Sequence, residues 1–154
     1  MPPSLLIRPA HPADAPTIAA FNAAMALETE HKHLDPATLR AGVEHAIANP
    51  EVARYFVAEI ANQVVGQLMI TMEWSDWRNG VFWWIQSVYV HPDFRKRSVF
   101  KSLYQHVETS SRTNPTVCGL RLYVEKENTH AQAVYHRLGM KDAGYTVYEV
   151  EWKR

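Results

Sequence analysis

A basic run in the second half of the chain, Arg-Lys-Arg-Ser at residues 95–98, carries the clearest chemical signal in the sequence. It separates an apolar stretch, residues 81–90, from an amphipathic stretch, residues 98–112. These patterns predict a buried strand, a basic turn and a helix. The N–H groups at a helix start are unpaired donors in positive potential, and nearby cations strengthen their attraction for phosphate. The spacing favours a phosphate site, although many basic turns are simply solvated.

Composition confines any anion site to a local patch. The 154 residues contain sixteen Lys and Arg against sixteen Asp and Glu, so no overall charge attracts nucleic acid or an anionic membrane. The longest apolar run, residues 81–90, is interrupted by Gln86 and Ser87 and is too short to span a bilayer. A single cysteine and the lack of a signal-peptide pattern at the start favour a cytoplasmic protein.

The hydrophobic periodicity predicts one domain, residues 1–154, in which antiparallel strands are followed by a βαβα unit. In Asp35-Pro36, a capping carboxylate followed by proline at the first helical position predicts the start of a helix. Asn128 predicts the start of another. The predicted strands are residues 4–8, 54–60, 64–72, 81–90, 117–124 and 145–152. The predicted helices begin near residues 14, 36, 98 and 128.

Two blocks of sequence resemble the GNAT N-acetyltransferase superfamily. The first is Val88-Tyr-Val-His-Pro-Asp-Phe-Arg-Lys-Arg-Ser-Val-Phe-Lys-Ser-Leu103, which is similar to that family's acetyl-CoA motif. The second is Asn128-Thr-His-Ala-Gln-Ala-Val-Tyr-His-Arg-Leu-Gly-Met140. The resemblance implies the GNAT α/β fold, a mixed and mainly antiparallel sheet with helices on both faces. It also implies acetyl transfer from acetyl-CoA to a primary amine of a small molecule or peptide by direct attack in a ternary complex.

The first block departs from the family pattern at two positions. Ser98 replaces the first glycine of the phosphate loop, and Phe100 replaces its second small residue. Serine keeps the backbone donor and adds a hydroxyl that can also bond phosphate. We expect the Phe100 ring to point away from the diphosphate, toward the core beside Val99 and Leu103.

The resemblance also assigns roles to particular residues. The N–H of Val90 is expected to polarise the acyl carbonyl, and Tyr135 is expected to protonate the departing thiolate. Alternatively, Tyr135 belongs to the core, because it shares a helical face with Ala131, Val134 and Leu138. The residues implied to contact the cofactor are Val88, Tyr89, Val90, Arg95, Lys96, Arg97, Ser98, Val99, Phe100, Lys101, Asn128 and Tyr135.

The general base and the acceptor pocket are less defined. The family's glutamate positions correspond to Gln86 and Tyr123, and neither is a useful base. Possible substitutes are Glu28, Glu30, Glu73, Glu125 or ordered water, and none is assigned. The acceptor pocket is expected from residues 25–33 and 74–84, which include Trp74, Trp77, Trp83 and Trp84. For Trp83 and Trp84, packing in the core or in a dimer is the favoured interpretation.

Three further expectations concern a metal site, the single cysteine and the oligomeric state. His31 and His33 have no evident third ligand, so no metal site is predicted. Cys118 is expected to be a small buried hydrophobe. Exposed strands and surface aromatic residues favour a homodimer. The alternative functions are a non-catalytic acyl-CoA-binding module and a nucleotide-binding or basic interaction domain that uses the Arg-Lys-Arg turn.

Overall fold

The computed structural model describes residues 3–153, and its helices and strands follow the predicted order. The elements are β1 (Leu5–Pro9), α1 (Ala15–Glu30), α2 (Pro36–Ala48), β2 (Ala53–Ile60), β3 (Gln63–Ser75), β4 (Gly80–Val90), α3 (Val99–Thr113), β5 (Val117–Arg121) and α4 (Thr129–Arg137). Two short 3-10 turns, Pro12–Asp14 and Pro92–Phe94, precede α1 and follow β4. The chain divides into two compact units, Met1–Leu122 and Tyr123–Arg154.

The first unit contains a five-stranded sheet in the order β1-β2-β3-β4-β5. Strands β1 to β4 pair antiparallel with one another, and β5 runs parallel to β4. A parallel neighbour requires a crossover, and α3 supplies it between β4 and β5. The predicted mixed, mainly antiparallel sheet is therefore confirmed.

Helices cover both faces of this sheet. A Cβ atom on Gly66 would lie 2.9 Å from Cγ1 of Val99 on α3. The next residue, Gln67, donates instead to Asn22 on α1. Because successive side chains of a strand point to opposite faces, α3 and α1 lie on opposite sides of the sheet. On the α1 side, a buried cluster joins both N-terminal helices to β2 through Ala15, Ile18, Val43, Ala46 and Val57.

The second unit contains α4 and an irregular C-terminal segment. Asn128 caps α4, because its Oδ1 accepts from the N–H of Ala131 at 3.1 Å. Gly139 follows the helix with a φ of +93°, a left-handed conformation that glycine adopts readily. Residues 145–152 form no strand in the described chain, so that prediction is wrong. Alternating polarity makes a strand possible, but a strand exists only when a neighbour completes its hydrogen-bond ladder.

Two smaller predictions also need correction. The fifth strand ends at Arg121 and not at residue 124. Cys118, which was expected to be buried, is exposed on β5. It belongs to an edge strand of the sheet, and in such a strand one face can remain toward solvent. Among residues 3–153, no helix has the length and apolar character needed to cross a bilayer.

Candidate functional site

A bulge interrupts β4 just before its last residues. Gln67 of β3 pairs with Tyr89, whereas Met69 pairs with Gln86. Two residues of β4, Ser87 and Val88, therefore lie opposite one residue of β3, the residue between Gln67 and Met69. Ser87 has a φ of +50°, in the left-handed region that non-glycine residues rarely occupy. Such bulges redirect the strand that carries them.

Beyond this bulge, the end of β4 has an open side. The pairing of β4 with β5 runs only as far as Trp84 and Arg121 in the described residues. The N–H of His91 donates to the carbonyl of Val65 at 2.8 Å, toward β3. Because the peptide groups of successive residues point to opposite sides of a strand, the N–H and C=O of Val90 point away from β3. The end of the strand thus presents the N–H of Val90 on the side where the pairing with β5 has ended.

The loop between β4 and α3 is strongly curved. Lys96 and Ser98 have φ values of +64° and +62°. Alternation of left-handed and right-handed residues turns successive N–H groups to the same side and forms an anion-binding concavity. Left-handed conformations of non-glycine residues are costly and concentrate at functional sites. The loop is therefore curved at Lys96 and Ser98, two residues whose left-handed backbone is strained because they carry a side chain.

The predicted cofactor residues at the start of α3 differ in whether they can offer backbone or side-chain groups to a ligand. Ser102 donates to the carbonyl of Ser98 at 3.0 Å, so the N–H groups of residues 99–101 precede the repeating helical bonds. The side chain of Val99 is buried against Gly66 and can contribute only its backbone to a ligand. The half-buried Phe100 ring lies 6.3 Å from the ring of Tyr104, along the helix.

Arg95 extends back toward the end of β4. Its Nε donates to the carbonyl of Val90 at 2.9 Å, and its Nη2 donates to Glu28 at 3.0 Å. Its guanidinium also lies 5.2 Å from the centre of the Tyr89 ring. Sequence reasoning assigned Arg95 to phosphate, and that assignment stays a prediction; in the structure Arg95 braces the loop against α1 and β4. Its side chain is exposed, as are those of Lys96, Arg97 and Lys101.

Glu28, near the end of α1, contacts Tyr89 as well as Arg95. Its second carboxylate oxygen accepts from the hydroxyl of Tyr89 at 2.9 Å. The bonds from Arg95 and then from Tyr89 lower the pKa of Glu28, so the group is a carboxylate at neutral pH. Burial, followed by the same Glu28 contact, raises the pKa of Tyr89. Sequence reasoning named Glu28 only as a possible base, because its link to Tyr89 and Arg95 is purely tertiary.

Gln86, at a family glutamate position, and Glu73, another candidate base, have defined neighbours as well. Gln86 donates to Oγ1 of Thr71 at 2.6 Å, and Glu73 forms an ion pair with Arg121. In the predicted acceptor region, Trp83 is buried as expected, whereas Trp74 and Trp77 are 62% and 89% exposed. Within residues 3–153, no cluster of three or more His, Cys, Asp or Glu side chains is placed to hold a metal ion.

The second unit carries the remaining two predicted site residues. Asn128 acts as the cap of α4, as described above. Tyr135 is half-buried on the same helix, and burial raises the pKa of its phenol. The phenol is therefore protonated at neutral pH, as an acid must be. A half-buried position is compatible both with packing in the core and with proton donation by Tyr135.

Comparisons with known proteins give a consistent family relationship. Residues 19–140 match the sequence model of the family described as Acetyltransferase (GNAT) family. The crystal structure of a possible acetyltransferase from Clostridium difficile 630 is 42% identical, with a TM-score of 0.92. That comparison covers 97% of this chain and 99% of the other. No curated protein sequence matches the chain significantly.

More distant structures share the fold. A predicted acetyltransferase with acetyl-CoA from Clostridium acetobutylicum is 16% identical, with a TM-score of 0.77 over 96% of both chains. A ribosomal-protein-alanine N-acetyltransferase from Brucella melitensis biovar Abortus 2308 is 17% identical, also with a TM-score of 0.77. The match covers 97% of this chain and 100% of that one.

Proposed function

This chain belongs to the acetyltransferase (GNAT) family, and from that premise we propose that it transfers the acetyl group of acetyl-CoA to a primary amine of a small molecule or peptide. The observation that carries the proposal is the open end of β4. There the N–H of Val90 points away from β3, beyond the last residue pair with β5.

The first unit offers groups that fit the parts of acetyl-CoA. The family uses acetyl-CoA, whose thioester supplies an activated acetyl group. The backbone of residues 88–90 can pair with the amide-bearing arm of the cofactor, much as a neighbouring strand would. The curved loop and the N–H groups of residues 99–101 suit the diphosphate, with charge supplied by the exposed Lys96, Arg97 and Lys101.

Each residue then has a defined task. The N–H of Val90 donates to the acyl oxygen as negative charge develops on it, which favours attack by the amine. By the family resemblance, Tyr135 supplies a proton to the thiolate as the carbon–sulfur bond breaks, in keeping with a phenol whose pKa is raised by burial. The proton that the amine loses on forming the amide passes to water. Arg95 and Glu28 hold the loop to α1 and to the strand that carries Val90. A cytoplasmic setting and a homodimer belong to the proposal as predictions from the sequence.

Thiol release measured across a panel of primary amines tests the proposal directly. We expect acetyl-CoA turnover with at least one amine, and CoA binding by calorimetry that exceeds binding of ATP or nucleic acid. The double variant Lys96→Ala/Arg97→Ala should weaken CoA binding about tenfold, since it removes two charges from the loop. The control Arg40→Ala, an exposed arginine paired with Glu44 on α2, should leave CoA binding unchanged.

The competing function is that of an acyl-CoA-binding module without catalysis. The favouring observation is Gln86, which stands where relatives place a glutamate and donates to Thr71. Tight CoA binding without turnover on any amine would support this alternative. ATP or nucleic acid binding at least as tight as CoA binding would instead favour the basic interaction domain.

A further inference from the structure

Four polar residues from four elements lie together beneath the β4 bulge, and three hydrogen bonds connect them. Nε2 of Gln67 on β3 donates to Oδ1 of Asn22 on α1 at 2.8 Å and to the carbonyl of Ser87 on β4 at 3.0 Å. Nδ2 of Asn22 donates to the hydroxyl of Tyr55 on β2 at 3.3 Å. Burial raises the pKa of the Tyr55 hydroxyl, and the neighbouring side chain of Ser87 opposes that rise. We call these four residues the polar cluster.

Gln67 occupies a position where an apolar residue would be expected. Its side chain has no exposed surface, and the neighbouring Leu68 and Val65 are equally buried. Both hydrogens of Nε2 are used, and Oε1 is buried with no partner among the described residues. Reversing the amide would bring Oε1 against two acceptors, so the observed orientation is the favourable one. A buried unsatisfied oxygen lowers stability, which points to a role beyond packing.

The polar cluster holds Ser87 through its backbone carbonyl, which accepts from Gln67. This contact lies at the residue with the left-handed backbone. Serine adopts that conformation only when its surroundings offset the strain. Because Ser87 begins the bulge, its conformation sets the direction of the strand through Val88 to Val90.

We propose that Gln67 is a positioning residue that fixes the β4 bulge and thereby aims the N–H of Val90 into the open side of the strand. The proposal deepens the function proposed above and rests on it for the catalytic consequence. The structural consequence can be measured in the free protein. The polar cluster acts on the reaction only through the backbone, since Gln67 itself is fully buried.

Gln67→Met tests the proposal, because methionine has a similar length and lacks the amide. In the ligand-free protein, we expect amide hydrogen exchange at Tyr89 and His91 to increase at least tenfold. In the assay, we expect kcat to fall at least tenfold while KM for acetyl-CoA changes less than threefold. The control Gln63→Met, an exposed glutamine on the same strand, should change neither quantity.

Rescue by glycine separates positioning from general stability. Gly is at ease in the left-handed region, so Gln67→Met/Ser87→Gly should restore most of the lost exchange protection and kcat. Unchanged exchange and kcat in Gln67→Met would overturn the proposal, as would a double variant no better than the single one. If Gln67→Met fails to fold, Tyr55→Phe removes the acceptor of the Asn22 amide, and Asn22 is the partner that orients Gln67. This variant should give a smaller increase in exchange; no increase would also overturn the proposal.

The two proposals can fail separately. Exchange at Tyr89 and His91 needs no acceptor amine and no turnover. A wild-type protein that acetylates nothing would refute the proposed function while leaving the effect of Gln67 on the bulge measurable. An intact bulge in Gln67→Met, with active wild-type enzyme, would refute only the positioning role.

Discussion

The guanidinium of Arg95 donates to the carboxylate of Glu28 at 3.0 Å across 67 positions of sequence. The same guanidinium donates to the carbonyl of Val90, which joins three segments at one point. The contact places a negative charge beside a loop proposed to bind a diphosphate. Glu28 therefore opposes the attraction of the loop for anions while it braces Arg95.

The charge of Glu28 should be measurable through CoA affinity. We expect Glu28→Gln to bind CoA two- to fivefold more tightly at low salt, because one repulsive charge is removed and the amide oxygen still accepts from Tyr89 or Arg95. Calorimetry in 0.5 M salt should show a smaller difference, since screening shortens the range of the charge. Glu44→Gln, on the exposed surface of α2, is the control. Weaker binding by Glu28→Gln would mean that bracing outweighs repulsion.

The left-handed conformation of Ser98 predicts the effect of glycine at this position. Ser98→Gly should raise the free energy of unfolding by roughly 0.5–1 kcal/mol and preserve CoA binding, because glycine adopts positive φ without strain. Ser102→Gly within α3 should instead lower it by about 0.5 kcal/mol. Urea unfolding and calorimetry measure both effects. A destabilised Ser98→Gly would show that the serine side chain supports the loop.

Tyr135 is tested by removing its hydroxyl. Tyr135→Phe should lower kcat at least a hundredfold and change CoA affinity less than twofold, since the ring is kept and only the proton donor is lost. Tyr148→Phe, at a 92% exposed tyrosine of the same unit, is the matched control. An unchanged kcat would assign Tyr135 to the core alone.

The pH dependence of kcat provides a second test of Tyr135. Burial raises the pKa of the phenol, so its protonated form persists to higher pH than that of a free tyrosine. Activity that depends on this proton should therefore decline only at a pH above that at which a free tyrosine ionises. A decline with rising pH near neutrality would identify a different acid.

The close approach of β3 to α3 depends on the absence of a side chain at Gly66. A Cβ at this position would lie 2.9 Å from Val99 Cγ1 and 3.3 Å from the carbonyl of Tyr89. Gly66→Ala should therefore lower the free energy of unfolding by about 1–3 kcal/mol. Gly42→Ala, where a Cβ meets nothing within 4 Å, should raise it by about 0.5–1 kcal/mol, since alanine favours the helix. Denaturant unfolding of both variants compares these effects.

The ion pair of Asp14 with Arg8 should appear as acid sensitivity. Burial pushes the pKa of Asp14 upward, but the bonds from Arg8 and from the N–H of His11 outweigh it and leave the pKa lowered. A carboxyl with a lowered folded-state pKa stabilises the fold above about pH 4, and this stabilisation is lost as pH falls through the folded value. Asp14→Asn should be about 2 kcal/mol less stable at pH 7 and less sensitive to acid.

Thermal unfolding between pH 2 and 7 would test this prediction. The gap between wild type and Asp14→Asn should narrow as pH falls below 4. Asp93→Asn, at an exposed aspartate, should follow the wild-type curve. A constant gap at all pH values would show that Asp14 acts through packing and not through charge.

Local patterns were sufficient to predict most of the fold. The Asp35-Pro36 start of α2 and the Asn128 cap of α4 follow from side-chain chemistry within one turn, and both are observed. The continuous apolar run of β4 and the apolar face of α3, which recurs at helical spacing, likewise predict elements that the structure contains. Residues 145–152 show the limit, because a strand also requires a partner that no local pattern specifies.

The sequence by itself determined the family, the order of the elements and the segment proposed to bind phosphate, because those properties lie in contiguous residues. Only the tertiary structure decided that Arg95 turns back to Val90 and Glu28, and that Cys118 is exposed. Only the fold, too, placed Gln67 of β3 beneath Ser87 of β4, with Asn22 of α1 beside them. Such contacts join distant residues through packing, and their geometry depends on every element between them.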